Sequence, residues 1–335
     1  SGGCHTLRIV AERIYEGIMD TKPRTARGRR GYAPLTPRMA LDLAAPHTWP
    51  AAIMPTLLAV AVASTAGSVS VVLTLALLVI VVLMQAAVNT FNDYYDYVKG
   101  TDNDDAYVDP SDAVLVYNNV NPGSALTLAI GFLVLAFILG IYPIVVAGIA
   151  PLIIALVGAA FVVLYSAGKS PISYRPVGEL VSGVVMGGLI PLAAYQVLVG
   201  NFNLLMLVWA IPTIIGVGLI MFTNNTCDIE RDIPAGRRTL PVELGRERAV
   251  RAYRYALAVW VVAIIANVGI WFTSGLVVVP FMLLASYPLL KALFNNPFTP
   301  ERRLQAMPQI LSVNITLGAF YAAAIFASGT LVAVL

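Results

Sequence analysis

The chain has 335 residues, 59% of them hydrophobic and 12% charged, with a net charge of +3 and a mean hydropathy of +0.80. A soluble domain carries roughly 25% charged residues and needs them on its water-facing exterior, so this composition excludes that class and makes lipid the exterior solvent. Two cysteines and two histidines are too few for a disulfide framework, a zinc finger or a histidine-based metal centre, which leaves oxygen-ligated hard cations.

Residues 1–43 read as a basic N-terminal segment. Within it, Leu7–Ile18 spaces Val10, Ile14 and Ile18 four apart, as in a surface amphipathic helix. The run Lys22, Arg24, Arg27, Arg29 and Arg30 either binds anionic headgroups or forms a disordered polybasic tail. The first long apolar run starts only near Ala51, so no cleavable signal peptide is expected.

Residues 44–335 read as the transmembrane domain. Apolar runs of spanning length (about 20 residues) fall at roughly 48–66, 69–91, 124–141, 143–165, 178–199, 203–223, 249–272, 274–293 and 306–333. The expected fold is therefore all-α, a polytopic bundle of nine transmembrane helices arranged as two four-helix pseudo-repeats plus one.

The loops at 66–69, 140–143, 199–203 and 272–275 carry no charge, whereas all 21 Lys and Arg and all 18 Asp and Glu lie in the alternate loops and helix ends. Basic loops mark the cytoplasmic side, so the N-terminus is expected inside and Val334-Leu335 outside the cell membrane. Transporters and pumps place ionisable groups at mid-membrane. None is there, which puts the chemistry at one face.

That face carries three groups of polar residues. At the end of the second span, Asn89, Asn92, Asp93 and Asp96 follow one another at three- and four-residue spacing and share a helix face. Gly100 turns the chain so that Asp102 folds back toward them. At the end of the sixth span, Asn224, Asp228 and Asp232 are four apart, with Arg237 and Arg238 shortly after. Two carboxylate-bearing helix ends repel one another unless a cation lies between them. Mg²⁺ holding a diphosphate resolves this, with Arg and Lys gripping the remaining phosphate oxygens. Lys169 and Arg175, after the fourth span, are either such clamps or topology-setting charges.

The run Asn92-Asp93-Tyr94-Tyr95-Asp96, the run Tyr165 to Lys169 and the run Asp228 to Asp232, in this order, resemble the UbiA superfamily of intramembrane prenyltransferases. Asn92–Asp102, Pro171–Leu180, Asn224–Gly245 and Pro46–Pro55 are similar to its menaquinone-pathway branch, which prenylates 1,4-dihydroxy-2-naphthoate; the likeness runs from about residue 40 to the end. The resemblance implies Mg²⁺-dependent transfer of a polyprenyl group from its diphosphate to an aromatic acid. It implies Asn92, Asp96, Asp102, Asn224, Asp228 and Asp232 as metal ligands, and Lys169, Arg175, Arg237, Arg238, Asn89 and Asn225 around the diphosphate. Asp93, Asp96, Asp228, Asp232, Lys169 and Tyr165 are the catalytic candidates it implies. Tyr94, Tyr95 and Tyr165 either face an allylic cation or pack at the interface; His47 either touches the aromatic acid or caps a helix. Other acceptors (4-hydroxybenzoate, haem, chlorophyllide, a lipid) and a membrane transporter are the alternatives. No nucleic-acid partner is expected, and oligomeric state and chain length stay open.

Overall fold

The computed structural model describes residues 31–100, 113–168 and 170–329, and the backbone at 333–334. The Leu7–Ile18 stretch, the basic run after it, Asp102 and Lys169 lie outside the described residues.

An apolar chain in lipid must satisfy its backbone N–H and C=O groups internally, and helices do this within one segment. Helix α1 (Pro37–Ala44) is capped by Thr36 and ends at Ala45, whose φ is 46°. A short 3₁₀ turn (Pro46–Thr48) then leads into α2 (Pro50–Ala66) with a bend of 54°. The Trp49 indole donates to Ala44 O at 2.9 Å across that bend. Helix α3 (Val71–Lys99) is 29 residues long, capped by Ser70 and terminated by Gly100 at φ 71°; at 1.5 Å per residue it is about 43 Å long.

The chain continues through α4 (Val114–Asn118), α5 (Pro122–Ala147) and α6 (Ile149–Ser166). A 3₁₀ turn (Ile172–Tyr174) precedes α7 (Gly178–Val184), which passes through a π-helical turn (Val185–Leu189) into α8 (Ile190–Val199). Next come α9 (Leu205–Trp209), α10 (Ile211–Cys227), α11 (Ile229–Asp232) and α12 (Leu240–Leu244). Helices α13 (Arg246–Trp271), α14 (Val279–Phe294) and α15 (Arg303–Phe326) complete the bundle.

Among the described residues, seven helical segments are long and apolar enough to cross a membrane, or eight if the bent segment Pro37–Ala66 is one span. The expected span at 203–223 falls on α9 and α10, where a break near Ala210 leaves α10 with 17 residues. The expected segment boundary at residues 43 and 44 falls inside α1.

A two-residue parallel pairing, Val69 with Ala333 and Ser70 with Val334, brings the chain's last residues beside the α2–α3 connection. Asp93 and Asp96 lie at the other end of α3.

The main core joins α2, α8, α10, α13 and α15 around Leu58, Tyr253, Ile264, Ile310 and Leu317. Small residues let backbones approach, as in membrane bundles generally. A Cβ on Gly187 would lie 2.5 Å from Thr213 O and 2.6 Å from Ile214 Cα, and the Thr213 hydroxyl donates to Gly187 O at 2.6 Å. Gly187→Ala must push the π-helical turn away from α10, at a cost of about 1–3 kcal/mol. The midpoint of thermal unfolding in detergent should fall, whereas Gly131→Ala, where a Cβ meets nothing within 4 Å, should leave it unchanged.

Candidate active site

The polar end of α3 is tied into its surroundings side chain by side chain. Asn89 donates to Ala44 O at 3.1 Å and to the Thr48 hydroxyl at 2.8 Å, so it fixes the α1–α2 bend against α3. One turn later, Asn92 accepts from the Ser166 hydroxyl at the end of α6. Asp93 is buried, and its Oδ2 accepts from the Val114 N–H at 3.1 Å, which anchors the start of α4. Lys99 Nζ donates to Ser166 O at 2.7 Å.

Asp96 reaches the second acidic helix end. Arg237 Nη2 lies 2.7 Å from Asp96 Oδ1, and its Nη1 lies 3.6 Å from Asp232 Oδ1. One guanidinium thus bridges carboxylates 136 positions apart, numbers 96 and 232, on two separate helix ends. The Thr239 hydroxyl donates to Asp232 Oδ2 at 3.4 Å, and the Arg237 N–H donates to Asp232 O at 2.9 Å. Asp228 and Asn224 meet a different arginine. Arg303, the first residue of α15, places Nε 3.1 Å from Asp228 Oδ1 and donates from Nη2 to Asn224 Oδ1 at 2.8 Å.

Burial and charge act together on this cluster. Burial pushes the Asp232 carboxyl up to about 7 against the pull of Arg237, and the Asp228 charge adds to the rise. Burial opposes the charge on Arg237, but Asp96 and Asp232 outweigh it and hold the guanidinium above its ordinary value. The ring of Tyr174 lies between two cations, with Arg237 Cζ 4.8 Å and Lys99 Nζ 4.8 Å from its centroid.

The structure therefore gathers Asp96, Asp232 and Arg237 at one point and pairs Asp228 with Asn224 through Arg303. Arg238 pairs with Glu243 at 2.6 Å and is 75% exposed, and Arg175 donates to the Ser170 hydroxyl at the surface, so neither joins this cluster. Asn225 is buried at its edge and donates to Glu179 Oε1 at 2.8 Å. Tyr165 is buried within electrostatic reach of Glu179, Arg237, Asp96 and Asp232. Tyr94 and Tyr95 pack edge to face at 5.0 Å, and His47 sits exposed in its 3₁₀ turn.

Arg303, Glu179, Ser166 and Tyr174 are site neighbours that sequence reasoning did not single out. The Arg302-Arg303 pair ahead of a long apolar run looks like a topology signal. Glu179 left a fainter trace, as a lone acid at the first turn of an apolar helix.

The donor chemistry suits a hard cation. Asn92, Asp96, Asn224, Asp228 and Asp232 offer oxygens at two facing helix ends, and Asp232 Oδ1 is buried without a hydrogen-bond partner. Such an atom is costly unless a cation faces it; Arg237 Nη1 does so at 3.6 Å, beyond hydrogen-bond distance, which leaves the oxygen able to take a closer cation. Among the described residues, no three His, Cys, Asp or Glu side chains converge on one point. An ion here would take few protein ligands and complete its shell with phosphate and water, as Mg²⁺ does.

Beside the polar cluster runs an apolar cleft of about 990 Å³ including its mouth, between α3, α5, α6 and α7–α8. Its α3 wall runs from Leu77 to Val88 and includes Gln85, which donates to the Thr48 hydroxyl and to Asn89. The eleven residue steps from Leu77 to Val88 make this wall about 16 Å deep. A long hydrocarbon and an anionic head would thus find adjacent places.

Known proteins match this architecture. The UbiA prenyltransferase family profile fits residues 52–307. The 1,4-dihydroxy-2-naphthoate octaprenyltransferase of Bacillus subtilis (strain 168) is 35% identical over 227 residues, which cover 67% of this chain and 72% of that protein. A UbiA homolog from Archaeoglobus fulgidus has the same fold, with a TM-score of 0.63 at 16% identity over 87% of this chain and 98% of that one. A structure of a UbiA homolog from the same organism bound to GPP and Mg²⁺ gives a TM-score of 0.56 at 17% identity, covering 85% and 99%. A family match over most of the length, on a bundle of apolar helices with its charged side chains at the helix ends, leads to one conclusion: this chain is a multi-pass membrane enzyme that belongs to the UbiA prenyltransferase family.

Proposed function

We propose that the enzyme transfers a polyprenyl group from its diphosphate to 1,4-dihydroxy-2-naphthoate, with loss of CO₂, to give demethylmenaquinol, the reduced form of demethylmenaquinone. The observation that carries the diphosphate half is the convergence of Asp96 and Asp232 on Arg237 at the polar end of an apolar cleft. The acceptor rests on the naphthoate octaprenyltransferase that shares 35% identity with this chain.

In this reading the bond between the donor's C1 and its bridging oxygen breaks, and the electron pair leaves with the diphosphate. The ring carbon that bears the acceptor's carboxylate supplies the pair for the new C–C bond, and departure of CO₂ restores aromaticity. Asn92, Asp96, Asn224, Asp228 and Asp232, with Asp102 beyond the described residues, are the oxygens from which Mg²⁺ would take a few ligands, and when bound it neutralises charge developing on the departing diphosphate. Arg237 grips diphosphate oxygens, and Lys169 does the same from beyond the described residues. Asp93 and Asn89 position the α3 end through Val114 and Thr48. Tyr174 packs against the Arg237 and Lys99 cations and so helps to hold Arg237 in place. The cleft holds the isoprenoid and keeps water from the cation, which hydrolysis would otherwise consume. The positive-inside pattern supports a cytoplasmic position for this end of the bundle, in the cell membrane.

The test is a mass-spectrometric product assay with geranylgeranyl diphosphate, Mg²⁺ and either dihydroxynaphthoate or 4-hydroxybenzoate. Decarboxylated prenyl-1,4-naphthalenediol (or the quinone that air forms from it) that disappears on adding a chelator is expected; product with 4-hydroxybenzoate alone would sink the acceptor assignment.

The cleft also makes a prediction about tail length. A Cβ on Gly158 would meet Met84 Cε at 3.7 Å, so the backbone tolerates a side chain there but the space does not stay free. Gly158→Phe should lower kcat/KM for geranylgeranyl diphosphate about tenfold or more relative to dimethylallyl diphosphate. Equal loss for both donors would place the tail elsewhere.

A further inference from the structure

Resting on the metal–diphosphate reading above, we propose that Arg303 is a place-holding cation: it neutralises Asp228 until the metal arrives, then turns its guanidinium to the donor's diphosphate. Its Nε lies 3.1 Å from Asp228 Oδ1 and 3.3 Å from Oδ2, and its Nη2 donates to Asn224 Oδ1 at 2.8 Å. These are the oxygens that the reading gives to the metal, so a metal and this guanidinium compete for them.

Three further features support an exchange rather than a fixed ion pair. Both partners are buried, with side-chain exposures of 8% and 9%, so Arg303 can leave Asp228 only as a metal takes the carboxylate and an anion takes the guanidinium, which couples the two exchanges. Arg303 is also the first residue of α15, where the helix dipole disfavours a cation. That location is a poor one for fold stability and a good one for a group that must let go. Lastly, Arg237 already bridges Asp96 and Asp232, so those two carboxylates have a counter-charge that does not depend on Arg303. Once a divalent ion occupies Asp228, repulsion turns Arg303 away, and the diphosphate that enters with the metal is the anion it meets.

The experiment uses the full chain in lipid nanodiscs with Mn²⁺ as the probe, read by electron paramagnetic resonance without any prenyl donor. Arg303→Gln frees Asp228 and should bind Mn²⁺ about tenfold more tightly than the wild type, a difference of about 1.4 kcal/mol. The same variant should hold inorganic diphosphate with Mn²⁺ about tenfold more weakly. Arg303→Lys, which keeps a charge but cannot span both Asp228 and Asn224, should shift both quantities in the same directions by less, and covers the case in which the glutamine variant does not fold. Unchanged or weaker Mn²⁺ binding in the variants, or unchanged retention of diphosphate, overturns the role of Arg303. If the wild type itself binds neither Mn²⁺ nor diphosphate, the underlying metal–diphosphate reading falls instead.

Discussion

Asp96→Ala should lower turnover by at least about a thousandfold, equivalent to about 4 kcal/mol of transition-state stabilisation, while the protein stays folded. The asymmetry of its surroundings supports both halves. Asp96 is the more exposed of the two carboxylates at Arg237, at 23% against 1% for Asp232. Removing it therefore leaves the half-buried guanidinium still facing a buried carboxylate. The site loses a ligand oxygen on the α3 side, and with it the bridge between the two helix ends. Asp228 differs, because its partner Arg303 is as buried as it is. Asp228→Ala strands one charge of a buried pair, which costs about 3–5 kcal/mol of stability, so its inactivity would not be interpretable. Asp228→Asn keeps the shape and one acceptor oxygen, and is the substitution to compare with Asp96→Ala. Initial rates at saturating donor, with unfolding midpoints measured on the same preparations, separate the two effects. Turnover of Asp96→Ala within tenfold of the wild type would remove Asp96 from the metal site.

The sequence made some of this legible and concealed the rest for physical reasons. Apolar runs flanked by charge identify helices well, because lipid forbids the alternatives. The break that shortens α10 was hidden, since Ala210, Ile211 and Pro212 read as a continuous apolar run and a proline at a helix's first turn costs nothing. Spacing along one helix put Asn92, Asp93 and Asp96 on one polar stripe, but it cannot say which way each side chain is engaged. In the fold, Asp93 turns to a backbone N–H of α4 and Asn92 to Ser166, whereas Asp96 reaches across to Arg237 in the loop after α11. Arg237 and Arg238 are adjacent and look equivalent in sequence. Successive residues of an extended loop point in opposite directions, so one is half-buried between carboxylates and the other pairs at the surface. Arg303 was hidden most completely. It is remote from both motifs in the chain, and only the packing of α15 against α10 brings it to Asp228.

Arg237→Ala should have the second large effect, and its two components respond to metal in opposite ways. Without metal, the substitution leaves Asp96 and Asp232 facing each other across the space the guanidinium filled. Asp232 is nearly inaccessible, with Oδ1 already lacking a hydrogen bond, and loss of its charged partner costs about 3–5 kcal/mol. The unfolding midpoint of the metal-free protein should fall sharply. Adding Mg²⁺ should restore much of it, since a divalent ion at the same carboxylates replaces the missing positive charge, and the metal-induced rise in midpoint should exceed that of the wild type. Activity should not recover with it. The diphosphate loses a two-pronged donor that a metal cannot replace, and loss of such a preorganised contact typically costs about 100- to 1,000-fold in kcat. Arg237→Lys should fall between, keeping the charge but not the fork that spans Asp96 and Asp232. A midpoint that Mg²⁺ does not move in Arg237→Ala would mean that these carboxylates do not bind the ion, and the bridge between the two helix ends would then be a structural ion pair alone.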